Sequence, residues 1–307
     1  MSDSMSDSEA SASDVEVAQP AETPSGLLTP GELITDDPMW MRGHGTYGVK
    51  GKTYSSVAGS IERVNKLLSV RPLHGRYVPV IGDHVVGRIT EVGNRRWKVD
   101  IGSTQDAVLQ LGSVNLPGGI LRRKSDDDEL QMREFLKEGD LLNAEIQSLF
   151  HDGGAALHTR SLRYGKLRNG VLVQVPSSLV LRQSMQSHAL DGGVEVIIGV
   201  NGFIWIRKAS SQAAPSTAKL GARPGGITRL EQESDSQQIY KDTNDSISLA
   251  LRQTISRYAN CLQVLVYKEM SIYGERLQRL YEASLRYADA GDLLKNSVKE
   301  QLAKDIQ

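Results

Sequence analysis

A chain of 307 residues with 39 % hydrophobic content is long enough for two or three domains with buried cores. A formal net charge of −1 excludes a polycation, and the lone Cys261 excludes an internal disulfide and points to a reducing compartment. No apolar run approaches the ~20 residues of a membrane span, and the acidic N-terminus lacks the charge and apolar core of a signal or transit peptide, so no membrane partner is expected.

In chain order, residues 1–25 come first, with Asp3, Asp7, Glu9, Asp14, Glu16 and Glu22 and no Lys or Arg. So little apolar surface does not fold, and a solvated acidic tail is expected. With these six acids set aside, the 37 acids fall to 31 against 36 bases, a net of +5 for the remainder. Mild basicity of this kind permits RNA contact without demanding it.

Residues 26–79 read as an N-terminal β-domain of short strands broken by glycine. A glycine-rich loop runs through Arg42, Gly43, His44, Gly45, Thr46 and Tyr47. It has neither the lysine spacing of a P-loop nor a helix behind it, so the expectation is a tight turn that docks on a neighbour.

Residues 80–162 carry the strongest pattern. Two Gly-Asp turns, Gly82-Asp83 and Gly139-Asp140, each launch a strand with period-two alternation. In the first strand Val85, Gly87, Ile89 and Glu91 are expected on one face, and Val86, Arg88, Thr90 and Val92 on the other. In the next, Trp97, Val99 and Ile101 alternate with Arg96, Lys98 and Asp100. Short, evenly spaced strands punctuated by Gly predict a five-stranded OB-fold barrel. Its Trp97 side is buried, and its other side presents Arg96 and Lys98 with Arg95 beside them. Such a cationic face is how these barrels meet single-stranded nucleic acid. Further on, Pro117, Gly118 and Gly119 make a loop, Arg122, Arg123 and Lys124 follow, and Ser125 caps a helix opening on Asp126, Asp127 and Asp128. Consecutive acids at a helix start point in different directions and do not share one metal ion.

Residues 163–290 read as a KH-like α/β domain. GVLVQV, VEVIIG and FIWI are strands, and the stretch from Pro176 to Leu190 is helix-like. A Ser-, Gln- and Gly-rich insertion covers 209–244. Helices then resume, with Ile247, Leu251 and Ile255, and later Tyr273, Leu277 and Tyr281, recurring every four residues. Cys261 lies in the apolar run CLQVLV, as a buried thiol rather than a nucleophile. Residues 291–307 form a C-terminal helix. The fold class is therefore multidomain, mainly β plus α/β.

Three basic groups converge on the barrel: Arg95, Arg96 and Lys98; Arg122, Arg123 and Lys124; and Arg160, Arg163, Lys166 and Arg168. Contacts of this type go to phosphates and give affinity and salt dependence without sequence readout. The six histidines are scattered without metal spacing, and no nucleophile elbow is present, so no catalytic residue, metal or cofactor is expected. Gly199-Val200-Asn201-Gly202 has the form of the loop with which KH domains clamp RNA. It joins strand to strand, however, and Asn-Gly is a preferred hairpin turn. Gly199, Asn201 and Gly202 are therefore expected in a structural turn.

The series MRGHGTY, GRITEV, RWKV, LPGG with LRR, LHTRSLRYGKL and GVNGFIWI, in this order, resembles the RNA exosome cap subunits of the Rrp-four family over residues 26 to about 285. The resemblance implies an N-terminal β-domain, an S-one-type OB-fold and a KH domain. It also implies a non-catalytic hetero-oligomer subunit that contacts RNA, the RNase-PH-like ring subunits and other cap subunits, and serves a 3′→5′ exonuclease bound elsewhere. The processes implied are ribosomal RNA maturation and RNA turnover, in nucleus, nucleolus and cytoplasm. Arg42 to Tyr47 become candidates for the partner interface. The usual S-one strand motif, rich in stacking aromatics, aligns with Arg95-Arg96-Trp97-Lys98-Val99-Asp100, and a frequent RNA-contacting histidine aligns with Gln110. Guidance of a strand rather than tight capture is the expectation. The rival reading is a free-standing RNA-binding factor in translation or ribosome assembly.

Overall fold

A computed structural model describes residues 27–116, 126–161, 163–209 and 240–305. The acidic tail, the loop at 117–119, Arg122, Arg123, Lys124, the cap Ser125 and most of the 209–244 insertion lie outside the described residues. The chain divides into two compact units, Met1–Leu73 and His74–Gln307.

The first unit is built from β1 (Leu33–Thr35), β2 (Met41–Arg42), β3 (Thr46–Val49), β4 (Lys52–Ser55), β5 (Gly59–Val64) and β6 (Leu67–Pro72). They form two small sheets, ordered β1-β4-β3 and β2-β6-β5. Arg42 to Tyr47 is not a free loop. β2 ends in it, β3 begins in it, and its middle is laced to β6: Gly43 N–H donates to Leu68 O (2.8 Å) and Val70 N–H donates to His44 O (2.9 Å). Gly45 sits at φ +73°, and a Cβ there would lie 2.6 Å from Val70 O. Only glycine fits this passage.

The second unit opens with a closed barrel. Its strands are β7 (His84–Gly93), β8 (Arg96–Asp100), β9 (Ala107–Val114), β10 (Leu141–Leu149) and β11 (Ala155–Thr159), joined between β9 and β10 by the short helices α1 (Asp126–Leu130) and α2 (Met132–Phe135). The order β11-β9-β8-β7-β10 closes through the β10–β11 pairing, and the two-residue β12 (Gly165–Lys166) adds to β10. Trp97 fills the centre with Val85, Ile89, Val99, Leu109, Leu142, Ile146 and Leu157. Its indole N–H donates to Leu136 O at 2.9 Å, so its own buried polar group is satisfied. This draws α2 over the barrel end.

Two sequence expectations need correction here. The alternation along β7 does not run unbroken. The pairing of β7 with β8 shifts between Ile89 and Glu91, a β-bulge, and beyond it Val92 turns to the core while Glu91 faces outward with Lys98. One extra residue reverses the parity of every later side chain. The stretch from Pro176 to Leu190 is not a helix either. It holds one 3-10 turn at Ser177–Leu179 and then extends into strand. Leu181, Arg182 and Gln183 are exposed, so no apolar stripe holds a helix there.

The KH part is a sheet of β13 (Gly170–Gln174), β14 (Ser187–Leu190), β15 (Val194–Ile198) and β16 (Phe203–Lys208), ordered β13-β16-β15-β14. α3 (Leu249–Tyr267), α4 (Gly274–Ser284) and α5 (Asn296–Lys304) contribute to the same core. Val194, Val196, Ile204 and Ile206 pack with Ile255, Tyr258, Leu262 and Leu277. Ile197 and Trp205 instead cluster with Val86 of the barrel. Every residue of β15 is thus buried, which is why VEVII reads as a near-continuous apolar run. Cys261 is buried in the helical core, where burial pushes its thiol up to about 12.

Candidate nucleic-acid interface

The outward face of the barrel is set by pairing across three strands. Arg96 of β8 stands opposite Gly93 of β7 and Gln110 of β9, and Lys98 opposite Glu91 and Val108. Arg96 and Gln110 are neighbours in register and both exposed. Arg96 makes no ion pair among the described residues. Gly102 and Asn201 lie away from this row, at the KH side of the barrel.

Arg95 and Lys98 are already engaged. Arg95 occupies the β7–β8 turn in the left-handed conformation, φ +55°. Its Nε donates to Glu129 Oε2 at 2.6 Å and its Nη2 to Asp126 Oδ1 at 3.3 Å. The Glu129 carboxylate raises the guanidinium's affinity for its proton. Lys98 Nζ donates to Glu91 Oε2 at 2.6 Å, and that ammonium holds the Glu91 carboxyl below its usual range. The bulge in β7 is what brings Glu91 to this face. Arg122, Arg123 and Lys124 lie outside the described residues.

The third basic group divides. Arg160 and Arg163 are exposed. Lys166 is buried, its ammonium pairing with Asp140 at 2.7 Å and with Asp242, and Arg168 donates to Thr243 O at 2.7 Å. These last two tie the end of the insertion to the barrel side. Tyr240 completes the tie by entering the barrel core edge-on to Phe135, with ring centroids 6.2 Å apart. Sequence reading missed this strap. The one available signal was a lone aromatic closing a low-complexity stretch.

Gly199 to Gly202 form a turn between β15 and β16, closed by Gly202 N–H donating to Gly199 O at 2.9 Å. The turn is plugged into the barrel. Asn201 is 4 % exposed, and its Nδ2 donates to Val86 O at 2.7 Å and Ile101 O at 2.9 Å, while its Oδ1 accepts from Val86 N–H at 3.3 Å. Val200 N–H donates to His84 O at 2.9 Å. Gly202 sits at φ +87°, and a Cβ there would stand 2.2 Å from Val175 O; at Gly199 a Cβ would stand 2.9 Å from Val86 N. Asn201 and Val200 spend their polar groups on the barrel, so the turn has no open face for a phosphate. A second link lies nearby, where Arg182 donates to buried Asp83 at 3.1 Å.

Within the first unit, Arg42, His44 and Tyr47 are exposed, and Tyr47 stacks on Tyr54 with centroids 5.7 Å apart. Gly43, Gly45 and Thr46 are half-buried, and Thr46 Oγ1 donates to Gly43 O at 2.8 Å. Leu27, Met39, Met41 and Val64 are also exposed. Among the described residues no three His, Cys, Asp or Glu side chains are grouped to hold a metal ion, and no helix is long and apolar enough to cross a membrane.

Three family models match in chain order: "Exosome complex exonuclease RRP4 N-terminal region" over residues 27–64, "RRP4, S1 domain" over 76–148 and "KH domain" over 170–212. A relative from Saccharomyces cerevisiae named Exosome complex component RRP4 is 59 % identical over 310 residues, covering 95 % of this chain and 86 % of its own. One from Schizosaccharomyces pombe is 50 % identical and covers 91 % and 82 %, and one from Bos taurus is 46 % identical and covers 93 % and 90 %. With the three parts matched in order and such identity across most of each chain, this protein belongs to the RRP4 family of exosome complex components.

Proposed function

We propose that the chain is an RNA-binding cap subunit of an RNA exosome. It stabilises a ring of RNase-PH-like subunits beside other cap subunits, and guides RNA into the channel for 3′→5′ processing and decay. The family is non-catalytic, so the exonuclease sits on other subunits. The observation that carries the RNA role is the outward row of β8 and β9, where Arg96 and Gln110 stand side by side and open to solvent. Arg95 and Lys98 border the row. Arg96, which makes no ion pair among the described residues, set beside paired cations gives weak, sequence-tolerant contact with phosphates. That suits a strand that must keep moving.

The working parts are an N-terminal β-domain (26–79), the S-one-type barrel (80–162), a KH-like domain (163–290) carrying the insertion 209–244, and a C-terminal segment (291–307) that holds α5, with the tail 1–25 ahead of them. Exposed Met39, Met41, Tyr47 and Val64 give the first unit apolar surface to bury against ring subunits. Arg42, Gly43, His44, Gly45, Thr46 and Tyr47 are the part of that surface assigned to the interface. Gly199, Asn201 and Gly202 act as a structural turn. Ribosomal RNA processing and RNA turnover place this work in nucleus, nucleolus and cytoplasm. The test is affinity purification of the tagged chain followed by mass spectrometry. We expect ring and cap subunits in stoichiometric amount. A stable monomer with submicromolar RNA affinity of its own would favour the free-standing factor instead.

A further inference from the structure

Resting on the RNA contact just proposed, we infer that Glu129 and Asp126 are determinants of RNA affinity: they occupy Arg95 as a strand phosphate would, and RNA must displace them to use it. The guanidinium meets two carboxylate oxygens, on Nε at 2.6 Å and on Nη2 at 3.3 Å. This is the forked arrangement with which arginine takes a phosphate. Lys98 with Glu91 at 2.6 Å repeats the device on the far side of Arg96. Two of the three cations on this face therefore start out satisfied.

The molecule holds a second kind of ion pair for comparison. Lys166 and Asp140 have side chains only 5 % and 13 % exposed, and their pair fixes the ammonium that also meets Asp242 of the strap. Arg95 is 66 % exposed, Asp126 97 % and Glu129 26 %. An ion pair that open to water contributes little to stability and exchanges readily. It is poorly suited to bracing and well suited to competition. Each acid acts twice: it holds the cation while RNA is absent, and once displaced it stands beside the incoming phosphate and repels it.

The test uses the full chain and its purified assembly with a fluorescein-labelled oligouridylate of about 20 nucleotides, longer than the roughly 4–16 that one OB fold covers. Glu129→Gln, alone and with Asp126→Asn, should tighten binding ~2- to 5-fold, the scale of an exposed ion pair. The slope of log affinity against log salt should steepen by about 0.7 for the one phosphate gained. The melting temperature should not change. In an Arg95→Gln background the gain should vanish. Glu134→Gln, which removes an exposed acid from α2, should not reproduce it. Unchanged or weaker binding on Glu129→Gln, a gain that persists without Arg95, or an equal gain from Glu134→Gln would each overturn the competition. If binding falls on Arg96→Glu yet ignores Glu129→Gln, only the competition fails. If binding ignores Arg96→Glu as well, the RNA reading of this face fails with it.

Discussion

Asn201 shows what one side chain does when its polar groups are all spent inside the molecule. Its amide meets two carbonyls and one N–H of the barrel, more than 100 positions away along the chain in two of the three cases. Asn201→Ala leaves those three barrel groups buried and open. Each orphaned group costs ~1–3 kcal/mol, partly relieved by local adjustment, so we expect a loss of about 2–4 kcal/mol in denaturant unfolding. RNA crosslinking at the barrel's outer face should persist wherever the variant is folded. A variant as stable as wild type that loses RNA would return the turn to the role of a clamp. The residue type and the turn were legible in the sequence, because Asn-Gly between two apolar strands is a local signal. The barrel contact was not, since nothing near Asn201 in the chain marks Val86 or Ile101. The same limit explains the cationic face. Arg95, Arg96 and Lys98 were readable as basic and outward, but two of the three are paired, through a bulge that moves Glu91 and a helix that brings Glu129 across 34 residues.

At the scale of elements, short strands with strong alternation around Trp97 were readable because one face of each is dry. Pro176 to Leu190 was not, because its apolar residues resemble a helical stripe, whereas Leu179, Val180 and Leu190 reach the core from a 3-10 turn and extended backbone and Leu181 is exposed. The strap at the end of the insertion was also silent. Asp242 supplies a test of it. Hydrogen bonds from Lys166, then Lys137, hold its carboxyl down to about 2. A folded-state pKa below the ordinary carboxylate value near 3.8 stabilises fully above that value, and the contribution is lost as pH falls through about 2. Half the side chain is exposed, so the contribution is screened and small. Thermal melts of wild type and Asp242→Asn should differ by a few degrees or less at pH 7 and converge between about pH 4 and pH 2. A constant gap down to pH 2 would mean that the ion pairs are not what Asp242 contributes.

At the scale of the molecule, the barrel and KH sheet share an apolar seam of Val86, Ile197 and Trp205, the Asn201 plug and the Arg182–Asp83 pair. The Gly199–Gly202 turn is spent on the barrel, and the proposed RNA contact therefore falls to the barrel's outer strands. Fold class and family were legible from the ordered motifs. The division of labour between the two RNA-binding folds was legible only in part, because burial of the turn depends on their docking. The most direct test of an RNA-guiding cap is ultraviolet crosslinking of a single-stranded RNA to the reconstituted assembly, mapped by mass spectrometry, for wild type and Arg96→Glu. We expect crosslinked peptides from β8 and β9 around Arg96 and Gln110, none from Gly199 to Gly202, and loss of the β8–β9 signal in the variant with assembly intact. Crosslinks confined to other subunits, or a β8–β9 signal unchanged by Arg96→Glu, would contradict it.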